Sequence, residues 1–195
     1  MNNNCMDNNK EVFLMVENVK TFNKSEPISF TASSGEIVCI FGLNGSGKTV
    51  LLKSICNIFN NYSGSIEKLE DKKRVGICLQ FPEHLIFKDT ALSEAIQIVE
   101  DEEKAKSLLK EINADEKISP FKLSDGQKRL MFLYGYLESK DFIILDEPFV
   151  SLDDNTKEYV ENKIVEASKM GKCILYTANR KSDLKIAHKI IEIKS

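Results

Sequence analysis

The run "FGLNGSGKTV", Phe41 to Val50, concentrates glycine, lysine and hydroxyl residues in a way that few ordinary loops do. Gly42 to Thr49 fits the pattern G-x-x-x-x-G-K-[ST], with an apolar run before it and helical periodicity after it. Gly42, Gly45 and Gly47 would let the backbone curl so that successive N–H groups point inward at phosphate oxygens. A helix beginning near Lys48 adds its positive dipole end. Lys48 offers a point charge to the β- and γ-phosphates, and Thr49 a hydroxyl to Mg²⁺. The alternative is a chance glycine-rich turn before a helix. Nucleotide-binding candidates in this loop are Gly42, Asn44, Gly45, Ser46, Gly47, Lys48, Thr49 and Val50.

Two further segments carry chemistry. "FIILDEP", Phe142 to Pro148, is an apolar strand that ends in two carboxylates, which places Asp146 and Glu147 at the carboxyl edge of a sheet, where ligands of open α/β folds collect. Asp146 then suits the surroundings of Mg²⁺, and Glu147 suits the attacking water. An acidic strand end taken alone is more often a loop or cap feature. "LSDGQ", Leu123 to Gln127, opens a helix: Ser124 is a good N-cap and Asp125 is favourable in the first turn. A capped N-terminus is also an anion site, so Ser124 and the Gly126 amide could meet a phosphate presented by another chain.

These residues need a scaffold that brings them to one edge. Buried strands are expected at Glu36–Phe41, Arg74–Leu79, Phe142–Asp146, Cys173–Thr177 and Ile190–Ile193, all rich in Ile and Val. Helical spacing separates them: Leu51, Ile55 and Ile58; Leu130, Leu133, Tyr134 and Leu137; Val160, Ile164 and Ala167. The alternation predicts an α/β fold with a mostly parallel sheet covered on both faces. "FLMVENV" and "PISFTA" predict an N-terminal antiparallel β-element. Thr90 to Asn113 reads as helical throughout, part of a small helical subdomain over approximately residues 88–140 within a domain at 11–195. The opening residues 1–10 read as a disordered polar tail.

Composition narrows the partners. The 195 residues are 42% hydrophobic and 29% charged, as in an ordinary globular chain, and the formal net charge of −3 leaves no cationic excess to neutralise a nucleic-acid duplex. No nucleic-acid partner is expected. Five cysteines, odd in number and without a C-x-x-C pair, read as reduced core residues of a cytosolic protein. No run of about 18 apolar residues is present, so the chain is not expected to cross a membrane itself.

The order "GLNGSGKT", "LQFPEH", "LSDGQ", "FIILDEP" and "SLDD" resembles the ATP-binding cassette (ABC) ATPases over roughly Val12 to Ile193. The resemblance implies a P-loop fold, ATP and Mg²⁺ as cofactors, and action in pairs, each ATP held between the loop of one chain and the signature of the other. It makes Gln80 a catalytic and Mg²⁺-contacting glutamine. It also makes Ser124, Gly126 and Gln127 the signature, Glu147 the catalytic carboxylate and Ser151 to Asp153 a segment facing the partner. Phe22 stands where an aromatic residue stacks on adenine; alternatively it is an ordinary half-buried strand residue. "RVGICLQFPEHLIF" and "SPFKLSDGQKR" are similar to the energy-coupling-factor type of importer ATPase. That similarity implies a transmembrane subunit docking near Gln80–Phe87 and a place on the cytoplasmic face of the membrane. The cluster Phe81, Leu85, Ile86 and Phe87 could equally fill the core.

Two departures stand out. Asp125 replaces the commonest signature glycine, and in "LYTANR" Ala178 falls where the family carries its switch histidine; neither His84 nor His188 stands there. The first consequence considered is a slow site that Ala178→His would accelerate. The rival is that Asn179 swings into the vacant space and donates a hydrogen bond to the γ-phosphate, so that the site is already active. Three readings follow: a working transporter ATPase, a catalytically weak ATP-binding subunit, and a soluble ABC ATPase outside transport.

Overall fold

The computed structural model describes residues 10–21, 26–68, 74–79 and 85–193. The tail at 1–9, Phe22 and Gln80–His84 lie outside the described residues.

Three strands form an antiparallel sheet: β1 (Val12–Lys20), β2 (Ile28–Ser33) and β4 (Ser63–Lys68), in the order β2-β1-β4. "VFLMVENVK" sends Phe13, Leu14, Val16 and Val19 into the core, and β1 is the central strand of an antiparallel element that the sequence suggests. β4 was not anticipated. Its "SGSIEK" carries a single aliphatic residue, and it is held by backbone pairing to β1 rather than by burial.

Five strands form the second sheet, all parallel: β3 (Ile37–Phe41), β5 (Val75–Cys78), β6 (Phe142–Leu145), β7 (Cys173–Ala178) and β8 (Lys189–Glu192), in the order β5-β6-β7-β3-β8. Their near-continuous apolar runs are what a sheet buried on both faces requires. On one face Val38, Ile40, Ile144 and Leu175 pack against Leu51, Leu52 and Ile55 of α1 (Lys48–Ile55). On the other, Ile37, Cys39, Ile143 and Tyr176 meet Met131 and Phe132 of α4 (Asp125–Ser139) and Val160 and Ile164 of α5 (Asp154–Lys169). Each such fully buried aliphatic side chain contributes about 2 kcal/mol of hydrophobic stabilisation. The register Phe41↔Ala178 and Leu145↔Tyr176 ends β3, β6 and β7 at the same edge, so whatever follows them in sequence meets in space.

Two helical expectations are corrected. α1 stops at Ile55: Asn57 takes the left-handed conformation at φ 58°, and Ile58 is 57% exposed rather than on the buried stripe. The helical stretch from Thr90 is two helices, α2 (Ala91–Val99) and α3 (Glu102–Glu111). They part where Glu100 turns left-handed at φ 58° and the Asp101 side chain accepts from the Lys104 N–H as a new N-cap. Both pack on α4 through Ala95, Ile98, Leu108 and Leu109. The acidic "EDEE" run therefore starts a helix at the end where carboxylates are favourable.

Cys39, Cys56, Cys78 and Cys173 are buried and unpaired, as expected for reduced core residues. Burial pushes the thiols of Cys39 and Cys78 up to about 12 and that of Cys56 to about 11, which keeps them protonated and inert.

Candidate nucleotide-binding site

The loop between β3 and α1 folds as its glycines demand. A β-carbon on Gly42 would stand 2.5 Å from the Ser46 Oγ and 2.8 Å from the Ile193 carbonyl oxygen, so only glycine fits between the loop and β8. Gly47 caps α1 at φ 98°, a conformation that L side chains rarely adopt, and turns the chain directly into the helix. Lys48 is almost wholly buried. Its Nζ donates to the carbonyls of Gly42 (2.9 Å) and Leu43 (3.1 Å), and so curls back under the loop. The Ser46 Oγ is buried without a hydrogen-bond partner among the described residues. A buried hydroxyl inside a concave loop of N–H groups suits a phosphate oxygen.

The acidic pair stands opposite. Asp146 is buried, and its Oδ1 accepts from the Thr177 Oγ1 at 2.6 Å while its Oδ2 accepts from the Thr49 Oγ1 at 3.4 Å. Glu147 turns left-handed at φ 48°, and its N–H donates to the Thr177 Oγ1 at 2.8 Å. That turn is energetically costly for a side chain with a Cβ, and the Thr177 bond helps hold it. It aims the carboxylate at the loop, where Glu147 Oε1 lies 3.8 Å from Lys48 Nζ. The spacing predicted from sequence is thus realised: Gly42–Val50, Asp146 and Glu147 converge on one edge of the parallel sheet.

Thr177 joins this site although the sequence placed it only at the end of an expected strand. Fully buried at the end of β7, it binds both acidic residues through one hydroxyl. Thr177→Val keeps shape and volume but leaves a buried carboxylate oxygen and an amide without that partner. We expect a loss of about 2–3 kcal/mol, or roughly 5–10 °C in melting temperature by calorimetry. A melting point equal to the parent's would show that the hydroxyl does not hold the pair.

Ser124, Gly126 and Gln127 sit elsewhere. They open α4, exposed or half-exposed, and no hydrogen bond or ion pair joins them to the loop at 42–50 among the described residues. The N-cap is a full capping box: Gln127 N–H donates to Ser124 Oγ at 3.2 Å, and Ser124 N–H donates to Gln127 Oε1 at 3.1 Å. Gln127 Nε2 donates to the carbonyls of Ile112 and Asn113, which fixes the helix start against the end of α3. The side chain of Asp125 is 97% exposed and pairs with Lys128 at 3.2 Å, so its charge faces away from the cap.

Ala178 is buried on the sheet face that holds Tyr176, among the residues packed under α4 and α5. The next residue, Asn179, reaches the acidic pair instead: its Nδ2 donates to Asn44 Oδ1 at 2.8 Å and to Glu147 Oε1 at 3.4 Å. Of the apolar cluster at 81–87, Ile86 is buried in the core, Leu85 is half-buried and Phe87 is 71% exposed; Phe81 lies outside the described residues. Ile86 thus fits the core reading, and Phe87 does not. No helix among the described residues is long and apolar enough to cross a membrane.

Comparison with known proteins points the same way. Residues 25–150 match the family model described as ABC transporter. The energy-coupling factor transporter ATP-binding protein EcfA2 of Caldanaerobacter subterraneus is 32% identical over 91% of this chain and 74% of its own length; that of Bacillus subtilis is 29% identical over 74% and 62%. The chain spans between 26% and 74% of the length of the first curated relatives it matches. Among solved structures, cbiO1 of Clostridium perfringens, part of the ABC transporter complex cbiONQ, superposes with a TM-score of 0.71. That match has 22% identity over 94% of this chain and 85% of the other. With a P-loop α/β fold, the loop and acidic pair at one sheet edge, and a family match over more than half its length, this chain belongs to the ABC transporter family of ATP-binding proteins.

Proposed function

We propose that the chain is an ATP-hydrolysing subunit that powers a membrane importer of the energy-coupling-factor type, peripheral on the cytoplasmic face and paired with a second cassette. The observation that carries this reading is the 3.8 Å approach of Glu147 to Lys48 across the loop, with Thr49 and Asp146 beside them. A loop cation and a carboxylate facing each other across the loop suit a terminal phosphate and a water oriented toward it.

The backbone amides of Gly42–Thr49 and the Val50 turn of α1 take the phosphate oxygens. Lys48 exchanges its two carbonyl partners for the β- and γ-phosphates. Thr49 Oγ1 and Asp146 supply hard oxygen donors at one point, a set that fits Mg²⁺, which takes one or two protein ligands and fills its shell with phosphate and water. Bound there, Mg²⁺ would neutralise charge on the β- and γ-oxygens. Glu147 accepts a proton from the attacking water, and Thr177 keeps its backbone turned toward the loop. Ser124, Gly126 and Gln127 serve the partner's nucleotide, not this chain's own, in keeping with the absence, among the described residues, of any hydrogen bond or ion pair to residues 42–50. Phe22 and Gln80 are assigned to adenine and to the water and metal by resemblance alone, since both lie outside the described residues. Phe87, exposed at the end of the Gln80–Phe87 segment, offers an aromatic face to a transmembrane subunit.

Copurification of the native protein tests this reading. A polytopic membrane protein and a second cassette should accompany it, and ATP turnover should rise on their assembly. Recovery with ribosomes or DNA, and turnover indifferent to membrane protein, would contradict it.

A further inference from the structure

Residues 177–179 form a clasp across the carboxyl edge of the sheet. Thr177 holds Asp146 and the Glu147 N–H, the Ala178 carbonyl accepts from the Gly42 N–H at 3.2 Å, and the Asn179 amide spans Asn44 and Glu147. The last of these joins the two walls of the nucleotide cleft through one nitrogen, whose two hydrogens go to an acceptor on each side. Among the described residues, the side chains bonded to or ion-paired with the Glu147 carboxylate are Lys48 and Asn179. Lys48 must leave when phosphates arrive, and Asn179 need not.

Building on the hydrolytic reading above, we propose that Asn179 is a positioning residue for Glu147: its neutral amide keeps the carboxylate aimed into the cleft once Lys48 has turned to the nucleotide, and its bond to Asn44 sets its own rotamer. A neutral donor suits this role because it bonds the carboxylate without competing as a cation for the phosphates. Residue 178 does not fill the role. It is an alanine, buried at 2% exposure in the packed layer beside Tyr176, and its side chain has no donor to offer the carboxylate.

The test is steady-state Mg·ATP turnover by the full chain and four variants: Asn179→Ala, Asn179→His, Glu147→Gln, and Glu147→Gln combined with Asn179→Ala. Asn179→Ala should lower kcat about tenfold while KM for ATP changes by less than about threefold, since the lost contact orients the base and does not bind nucleotide. Asn179→His, which restores a neutral donor, should recover kcat to within about threefold of the parent. In the Glu147→Gln background, Asn179→Ala should cause no further loss, because the group it positions is gone. A merely structural asparagine would move none of these readouts in this pattern. An Asn179→Ala kcat within twofold of the parent, or a full loss in the Glu147→Gln background, would overturn the assignment and leave the hydrolytic reading standing. A parent without turnover would overturn both.

Discussion

Lys48→Ala should reduce the affinity for Mg·ATP by about a hundredfold, or roughly 3 kcal/mol, the scale of charge-assisted hydrogen bonds to phosphate. The substitution should leave the fold intact. The packing of α1 on the sheet belongs to Leu51, Leu52 and Ile55. What is lost is a buried cation whose partners, Gly42 and Leu43 carbonyls and the Glu147 carboxylate, all line the cleft. Calorimetric titration with Mg·ATP, with circular dichroism to check folding, measures the effect. Binding equal to the parent's in a folded variant would remove the loop from the account.

Glu147→Gln should preserve Mg·ATP binding and lower turnover by about two orders of magnitude or more, the usual scale of a general base. The amide keeps the shape of the carboxylate and the backbone turn, but cannot accept the water's proton. With ATP bound and not consumed, paired chains should accumulate, and light scattering should show a larger mass with Mg·ATP than without. The Glu147 N–H bond to Thr177 is untouched by the change, so melting temperature should hold. Turnover equal to the parent's would mean that another group takes the proton.

Much of this was legible in the sequence because the signals are local. The glycine pattern with Lys48 and Thr49 dictates a curled loop before a helix, and "FIIL" before Asp146 dictates a buried strand with its carboxylates at the edge. Uninterrupted apolar runs announced the parallel strands. β4 escaped notice because "SGSIEK" has neither alternation nor apolar density, and only the free edge of β1 makes it a strand. The break between α2 and α3 escaped because Glu100 is a good helix former, and its left-handed turn with the Asp101 cap is set by how both helices pack on α4. Ile58 matched helical spacing but lies beyond the end of α1, which spacing alone cannot locate. For the site, one consequence drawn from Ala178 was an empty position. The other gave Asn179 a hydrogen bond to the γ-phosphate; its contacts with Asn44 and Glu147 depend on which way each side chain turns at the end of β7. The pairing of Phe41 with Ala178 fixes that choice, and it involves residues more than a hundred apart in sequence.

The claim at the centre of this account is that the chain's own loop and acidic pair hydrolyse ATP although residue 178 is alanine. Phosphate release from Mg·ATP by the purified full chain, at concentrations high enough for pairing, tests it most directly. The account predicts saturable release, with KM in the usual range of about 1 μM to 1 mM, that Lys48→Ala and Glu147→Gln both suppress. Release no faster than from Mg·ATP in buffer, or release that survives both substitutions, would contradict it.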